Sequence, residues 1–421
     1  MLSKKPETLA WLVTLTAFFI CIALAIGIPT TTRWYILNAT HPLERELDPQ
    51  GELVQGGITY QSGGHGNPIV ATASLNNDTL PTGSSITLAD NAEALLIFSA
   101  HATDDNPVGT IQLYGGTNVI LQDTMTPNFA PSLLPHQIGL KINRGRARFS
   151  IGGDARATRA LIRTPHGEFT LDEGTYTVIV TAADTQVMVS TGLAHIPVAN
   201  GENFILTPLQ RVELTAAGVS EIAVGGRNLL RNSSFDEGID QSWKAYTRDV
   251  QFSNESGGDV TLFGTERKIV IFKRIGRGHA ETGIEQEVNQ NIRGVQSLQV
   301  SARLRVETQD LPVCGMLGTE CPLMLRIVFT DLTGNSHEWL QGFYADIGSA
   351  EEYPDRCIQC ESNPQHVRVP KNVWYPYQSP NLIPLLKAQG MEPATIQKIT
   401  IYASGHTYTA ALSDISILVE D

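Results

Sequence analysis

Positive charge is scarce in this sequence, and so are the short motifs of familiar catalytic centres. Against 43 Asp and Glu stand 30 Lys and Arg, a formal net charge of −13. No run of Lys and Arg with interleaved aromatics offsets it locally, so the chain would repel a phosphate backbone and nucleic acid is not an expected partner. There is no Gly-x-Ser-x-Gly and no His-Glu-x-x-His, and Gly276-Arg277-Gly278 is not followed by the Lys-Ser/Thr of a phosphate loop. His279-Ala280-Glu281 with the later Cys357-x-x-Cys360 meets part of a zinc-deaminase pattern, but Arg356 stands where that pattern requires proline. Scattered acids such as Glu351, Glu352 and Asp355 read mostly as surface groups, because one sequence cannot show the separation a glycosidase pair needs. No enzymatic activity is expected.

Helical spacing is also missing beyond one segment. Leu9 to Ile28, LAWLVTLTAFFICIALAIGI, carries no charge, and about twenty residues at ~1.5 Å each span a ~30 Å hydrocarbon core. Lys4 and Lys5 precede it, and Trp11, Trp34 and Tyr35 lie near its edges. The positive-inside rule and the aromatic belt then orient a short cytoplasmic stub (1–8), a transmembrane helix (9–29) and the bulk of the chain outside the cytoplasm. Arg33 weakens that asymmetry. The other readings are a cleaved signal peptide, with Ala23-Leu24-Ala25 as the small-x-small site, and a buried soluble helix. The apolar run continues past that site, which favours an uncleaved anchor. Residues 30–66, with Pro42, Pro49 and the Gly56-Gly57 and Gly63-Gly64 pairs but no sustained period, read as a stalk or lead-in.

At 421 residues the chain is too long for one core. From 67 to 224, apolar runs of strand length recur between turn residues: SITLAD, ALLIFSA, TIQLYGG, IGLKINRGRARFSI, RALIRTP, TYTVIVTA, QVMVSTG and QRVELTAAG. They predict an all-β roll or sandwich. Arg144, Arg146 and Arg148 alternate along one of these strands and would share a face, either solvated or an anion-binding patch. The order of parts resembles the FecR periplasmic domain. It runs through Arg163-Thr164-Pro165-His166-Gly167-Glu168-Phe169, Gly174-Thr175-Tyr176-Thr177-Val178, Gln186 to Gly192, and Leu206-Thr207-Pro208-Leu209-Gln210-Arg211-Val212. The resemblance implies a domain outside the cytoplasmic membrane after one transmembrane helix. The iron-uptake regulators of that family carry an anti-sigma segment before the helix, whereas eight residues precede Leu9 here, so direct sigma-factor control is not expected.

Gly225-Gly226 marks a boundary, and 227–421 restarts as a second β domain. Alternation is clearest in Leu298, Val300, Ala302, Leu304 and Val306, which predicts a strand with one buried face. The opening NLLRNSSFDEG, the central QVSARLRV, the strand around Trp374 and the closing IYASG and LSDISI are similar to galactose-binding-like jelly rolls, which include many carbohydrate-binding modules. That resemblance implies a structural Ca²⁺ at Asp236 and Asp414, although two acids fall short of the six to eight ligands Ca²⁺ takes. It also implies sugar stacking on an aromatic, for which Trp243, Trp339, Tyr344, Trp374 and Tyr377 are the candidates; strand aromatics are otherwise core residues.

Cys314-x6-Cys321 and Cys357-x2-Cys360 give an even count in an exported chain and point to two disulfides, either local or between the two loops. A four-thiolate zinc site and free thiols are the alternatives. The expected fold class is all-β: one N-terminal transmembrane helix, a FecR-like β domain and a jelly roll. The function read from this is a non-catalytic, membrane-anchored extracytoplasmic protein. Its jelly roll would bind a glycan or envelope component, beside a FecR-like scaffold or signalling domain. Competing readings are an exported enzyme or accessory subunit of polysaccharide metabolism, and a structural interaction protein of an envelope complex.

Overall fold

The structure, a computed structural model, describes the chain except at 1–5, 39–43, 65–67, 72–79, 101–106, 129–131, 153–155, 199–202, 221, 225, 265–266, 349–352, 363 and 421. Part of the expected cytoplasmic stub, Gly225, and the acids Glu351 and Glu352 therefore lie outside the described residues. The N-terminal helix α1, Pro6–Asn38, contains a 22-residue stretch, Trp11–Thr32, long and apolar enough to cross a membrane. Its polar side chains turn inward on the backbone: Thr16, Thr30 and Thr31 donate to the carbonyls of Leu12, Ile26 and Gly27, each at 2.7 Å. That satisfies their hydroxyls without water. Pro29 lies inside the helix and contributes no amide to the ladder.

The remaining chain is β structure. Among the described residues the exceptions are a three-residue 3-10 turn and the short helix α2, Leu382–Ala388, capped by the Asn381 side chain at the Ile383 amide. The first unit differs from expectation at its start. Residues read as a stalk form strands: Asp48–Gln55 pairs with Glu93–Ser99, and Ile58–Gln61 pairs with Ser85–Leu88. Short strands whose partners lie far along the chain show no local period, which is why they read as irregular. Pro49 is tolerated because Asp48–Gln55 pairs on one side only.

The 16-residue strand His136–Ile151 joins both sheets of this unit. Its first half pairs in parallel with Thr158–Thr164, and its second half pairs antiparallel with Gly174–Val180 and Gly109–Leu113. The changeover sits at a register shift beside Gly145, whose φ is +101°. A Cβ there would meet Thr117 Cα at 2.4 Å, so only glycine lets the strand cross. Gly192 (φ +87°) is needed for another reason: a Cβ would lie 2.2 Å from the hydroxyl of Tyr176. That buried hydroxyl donates to the carbonyls of Asp172 and Leu193, both at 3.0 Å.

The chain leaves the first unit after Ala223–Val224, which pairs with Gln210–Arg211, and enters the second at Arg227–Asn228, which pairs with Leu418–Val419. The second unit is a two-sheet sandwich. The inner sheet runs Asp259–Phe263, Ile269–Arg274, Tyr408–Glu420, Ser297–Gln309, Tyr375–Gln378. The outer sheet runs Lys244–Arg248, Ala280–Asn291, Pro393–Gly405, Leu323–Asp331, Ser336–Tyr344, Val367–Arg368. Leu298, Val300, Ala302, Leu304 and Val306 are buried between the sheets as their alternation requires.

The other face of the inner sheet is covered by the first unit. Leu95 belongs to the second unit's apolar cluster, with Val54 and Ile97 packed against it. Thr110 donates to the Trp374 carbonyl at 2.9 Å and Arg146 to Gln378 at 2.6 Å. Gln112 and the Tyr375 hydroxyl meet at the half-buried Glu93 carboxyl, whose pKa is pushed up by desolvation. Arg148, on the face read as either solvated or anion-binding, is fully buried, while Arg144 stays exposed. Alternation reports which residues share a face; it cannot report that a second unit lies over that face.

Candidate functional site

Two polar regions of the second unit could take a ligand. The first is a cavity of about 350 Å³ between the two units. Thr175, Gly192 and Leu209 line it from one side and Asp236, Arg303 and Asp414 from the other, with Arg148 beneath. Arg148 bonds Gln378 at 3.0 Å, Thr177 at 3.3 Å and Ser301. Arg303 bonds Ser150, the Gly152 carbonyl at 2.8 Å and Ser413 at 3.2 Å. Every one of these partners is neutral. Desolvation pushes the pKa of Arg148 down to about 10 and lowers that of Arg303.

Asp236 and Asp414, the pair expected to hold Ca²⁺, thus line one cavity although 178 positions apart in sequence. The donor set does not fit the ion. Asp414 accepts from Ser413 at 3.0 Å and lies 4.0 Å from the Arg267 guanidinium, and Asp236 accepts from Ser234 at 2.5 Å. Two guanidiniums line the same space, and they oppose a dication that would need six to eight oxygens.

The second region is the outer face of the outer sheet. Strand register sets Tyr246, Gly283, Tyr402 and Met324 side by side, with Arg248 beside Glu281, and Arg326 beside Thr400. Glu281 accepts from the Tyr246 hydroxyl at 2.5 Å and from Arg248, and Arg326 approaches it at 3.7 Å. Arg248 covers the Tyr246 ring at 4.6 Å, and Arg326 covers the Tyr402 ring at 4.5 Å. Burial raises the pKa of both tyrosines, with the Glu281 charge adding to the effect, so both stay neutral; the Tyr402 hydroxyl accepts from Arg326 at 2.8 Å. Glu338 lies 3.7 Å from Arg326 and Lys398 3.5 Å from Glu285, continuing the array.

None of the five aromatics expected to stack a sugar presents a ring to solvent. Trp243 is in the core against Phe235 and donates to the Asn232 carbonyl. Trp339 and Tyr377 lie in the same core, Tyr377 edge-on to Phe343 at 4.8 Å. Tyr344 is buried under the cysteine loops. Trp374 is held at the interface between Arg303 at 4.4 Å and Arg305 at 4.8 Å. Large rings in strands were taken up by packing. The signal for the outer array was a different one: Lys244, Tyr246 and Arg248, and Glu281, Glu285 and Glu287, recur at period two opposite the inward residues of their strands.

The cysteines form two local disulfides, Cys314–Cys321 and Cys357–Cys360. Their loops interlock, with the Ile358 amide donating to Leu317 and His366 sitting between them. His366 Nδ1 accepts from the Gly342 amide at 3.0 Å and Nε2 donates to the Gly318 carbonyl at 2.8 Å, which defines a neutral ring whose pKa burial lowers. Cys314, Cys321 and His366 cluster closely enough for a metal, but both sulfurs are bonded to each other. These loops cover the half of the outer face that carries Met324, Leu340, Tyr344 and the 2% exposed Tyr402, and the half-buried Tyr246 packs against the edge of that cluster.

No family model and no curated protein matches the chain. Among solved structures, TmCBM61 in complex with β-1,4-galactotriose aligns with 46% of this chain and 99% of its own, at 14% identity and a TM-score of 0.26. The family 11 carbohydrate-binding module of the cellulosomal cellulase Lic26A-Cel5E of Clostridium thermocellum aligns with 47% and 96%, at 10% identity and 0.28. A proposed anti-sigma factor from Parabacteroides distasonis ATCC 8503 aligns with 33% and 57%, at 16% identity and 0.23. At these identities and TM-scores nothing about this chain is carried over from them.

Proposed function

We propose that the chain is a non-catalytic protein anchored by α1 outside the cytoplasm, whose second β unit binds a glycan on the outer sheet, with the FecR-like unit as its scaffold. The observation that carries this is the array of Tyr246, Arg248, Glu281, Arg326 and Tyr402. Two guanidiniums sit over tyrosine rings, and Glu281 bonds one and lies 3.7 Å from the other. Such rigid, flat groups with fixed donors suit a polyhydroxylated ring, because little side-chain entropy remains to be lost on binding. Lys244, Arg248, Arg326 and Lys398 are matched by Glu281, Glu285, Glu287 and Glu338, so the face is balanced in charge and favours a neutral glycan over a polyanion. A glycan-array screen of the segment beyond the helix tests the reading, with Arg326→Ala and Tyr246→Ala as controls. Retention of neutral glycans that both variants lose supports it; no retention, or retention indifferent to both, removes it.

A structural role in an envelope complex is the second reading. It is favoured by the disulfide loops that already fill half of the same face. Under that reading the open half binds a protein, and the same two variants lose a cross-linked neighbour instead of a glycan.

A further inference from the structure

His337, on the outer sheet, is held from both sides by carboxylates. Its Nε2 lies 3.0 Å from Asp331 Oδ2 and its Nδ1 2.7 Å from Glu361 Oε1, with the Phe329 ring 5.6 Å from its own. An ionised carboxylate accepts and cannot donate, so both ring nitrogens carry hydrogen and the ring is an imidazolium. Asp331 does not supply a proton of its own. It accepts from the Thr333 hydroxyl at 2.7 Å and from the amides of Thr333 and Asn335, both at 2.8 Å, and these bonds hold its carboxyl well below the usual range. The hydrogen bonds to Asp331 and then Glu361 raise the pKa of the ring, and their charges add to the effect. The neighbouring strand Pro393–Gly405 presents the neutral Gln397 to Ser336.

The two bonds are unequal. Asp331 ends the strand Leu323–Asp331 with 8% of its side chain accessible, whereas Glu361 is 49% accessible and follows Cys360 in the segment closed by the Cys357–Cys360 disulfide. When the ring gives up a proton, the hydrogen that remains stays with the fixed Asp331. The Nδ1 lone pair then faces Glu361, which turns to water. The bonds that join this segment to Leu317, His366 and Gln365 are donated by amides and keep their hydrogens. On its inner side Cys357 packs with Met324, Leu340, Tyr344 and Tyr402, and Tyr353 and Cys360 lie against the same cluster.

We infer that His337 and Glu361 form a proton-operated latch on the outer face. While the ring is charged it fastens the Cys357–Cys360 segment to the strand pair beneath, and once neutral it lets the segment open locally from the Tyr402 end of the sheet. The latch is complete below the ordinary histidine value of 6.5 and is lost as pH rises through the raised value of His337. That its opening enlarges a sugar-binding face rests on the glycan reading above; the latch itself does not.

Hydrogen-exchange mass spectrometry on the full chain in detergent micelles reads the latch with no ligand present, so failure of the glycan reading leaves the result untouched. Protection of residues 353–362, corrected for the pH dependence of chemical exchange, should fall about tenfold between about pH 6 and about pH 9, as one hydrogen bond to a charged group is lost. Glu361→Ala, at an exposed side chain, should show the low protection at both pH values, and His337→Gln should abolish the response. His279→Gln breaks the other histidine–carboxylate pair beside these loops, His279 with Glu320, and should keep it. Protection indifferent to pH in the native chain, an undiminished response in Glu361→Ala, or a response removed by His279→Gln would each overturn the assignment.

Discussion

The two faces of the second β unit use the same device and come to opposite ends. On the inner sheet Arg303 and Arg305 clasp Trp374, and on the outer sheet Arg248 and Arg326 lie over Tyr246 and Tyr402. The inner device is sealed beneath the first unit, with Arg303 2% and Trp374 3% exposed. On the outer device Arg248 keeps 40% and Arg326 21% of its side chain accessible. A guanidinium over a ring is therefore neither a ligand platform nor a structural clasp by itself. What covers it decides, and that cover comes from strands Gly109–Leu113 and His136–Ile151, more than 200 residues from Trp374.

The sharpest way to break this comparison is truncation. Trp374→Ala should cost about 3–5 kcal/mol in urea unfolding of the full chain, whereas Tyr246→Ala, at a half-buried surface ring, should cost about 1 kcal/mol. Equal costs would mean that the inner face is not a closed interface.

Next in size come the disulfides that cover part of the outer face. Replacing Cys314 and Cys321 together by Ala should cost about 2 kcal/mol by loop entropy, and replacing Cys357 and Cys360, three positions apart, somewhat less. Non-reducing peptide mapping should recover the two local bonds. Recovery of cross-loop pairs would remove the interlocked arrangement around His366.

A smaller effect distinguishes two histidines near those loops. His279 bonds Glu320 at 2.7 Å, which raises the pKa of His279 and lowers that of Glu320. The pair's contribution is complete between the ordinary values of 4.5 and 6.5. It declines as pH rises through the raised histidine value or falls through the lowered glutamate value. His366 has the opposite sign. Its lowered pKa means stability is lost as pH falls below 6.5, since a proton on Nδ1 would face the Gly342 amide. Melting curves should therefore show His279→Gln less sensitive to alkali, and His366→Phe less sensitive to acid, than the native chain. The same response from both variants would refute the assignment.

The smallest expected effect is none: the melting temperature should be indifferent to millimolar Ca²⁺ and to chelator. A rise with Ca²⁺ that Asp414→Asn abolishes would restore the metal expected from the jelly-roll resemblance.

Much of the fold was legible in the sequence because strand pattern and glycine placement are local properties. The Leu298 to Val306 alternation and the Gly174-Thr175-Tyr176 passage lie in strands where local reading locates them. The strands between 44 and 64 were missed because their partners are remote. The five aromatic candidates were misjudged for a related reason: an indole or phenol looks the same in sequence whether its face is packed or open. Arg148 escaped as a cavity residue because nothing in its own strand reports the unit lying over it.

The sequence by itself determined the apolar helix, the all-β class and the even count of four cysteines beyond the helix, since each follows from composition, period or turn chemistry along a continuous stretch. Tertiary structure alone decided which arginines lost their solvent, which cysteines paired, and that Asp236 and Asp414 share a cavity with Arg148 and Thr175. Those outcomes depend on which face of one sheet meets another. Burial, and with it the strength of every charge in the site, is set by groups distant in the chain.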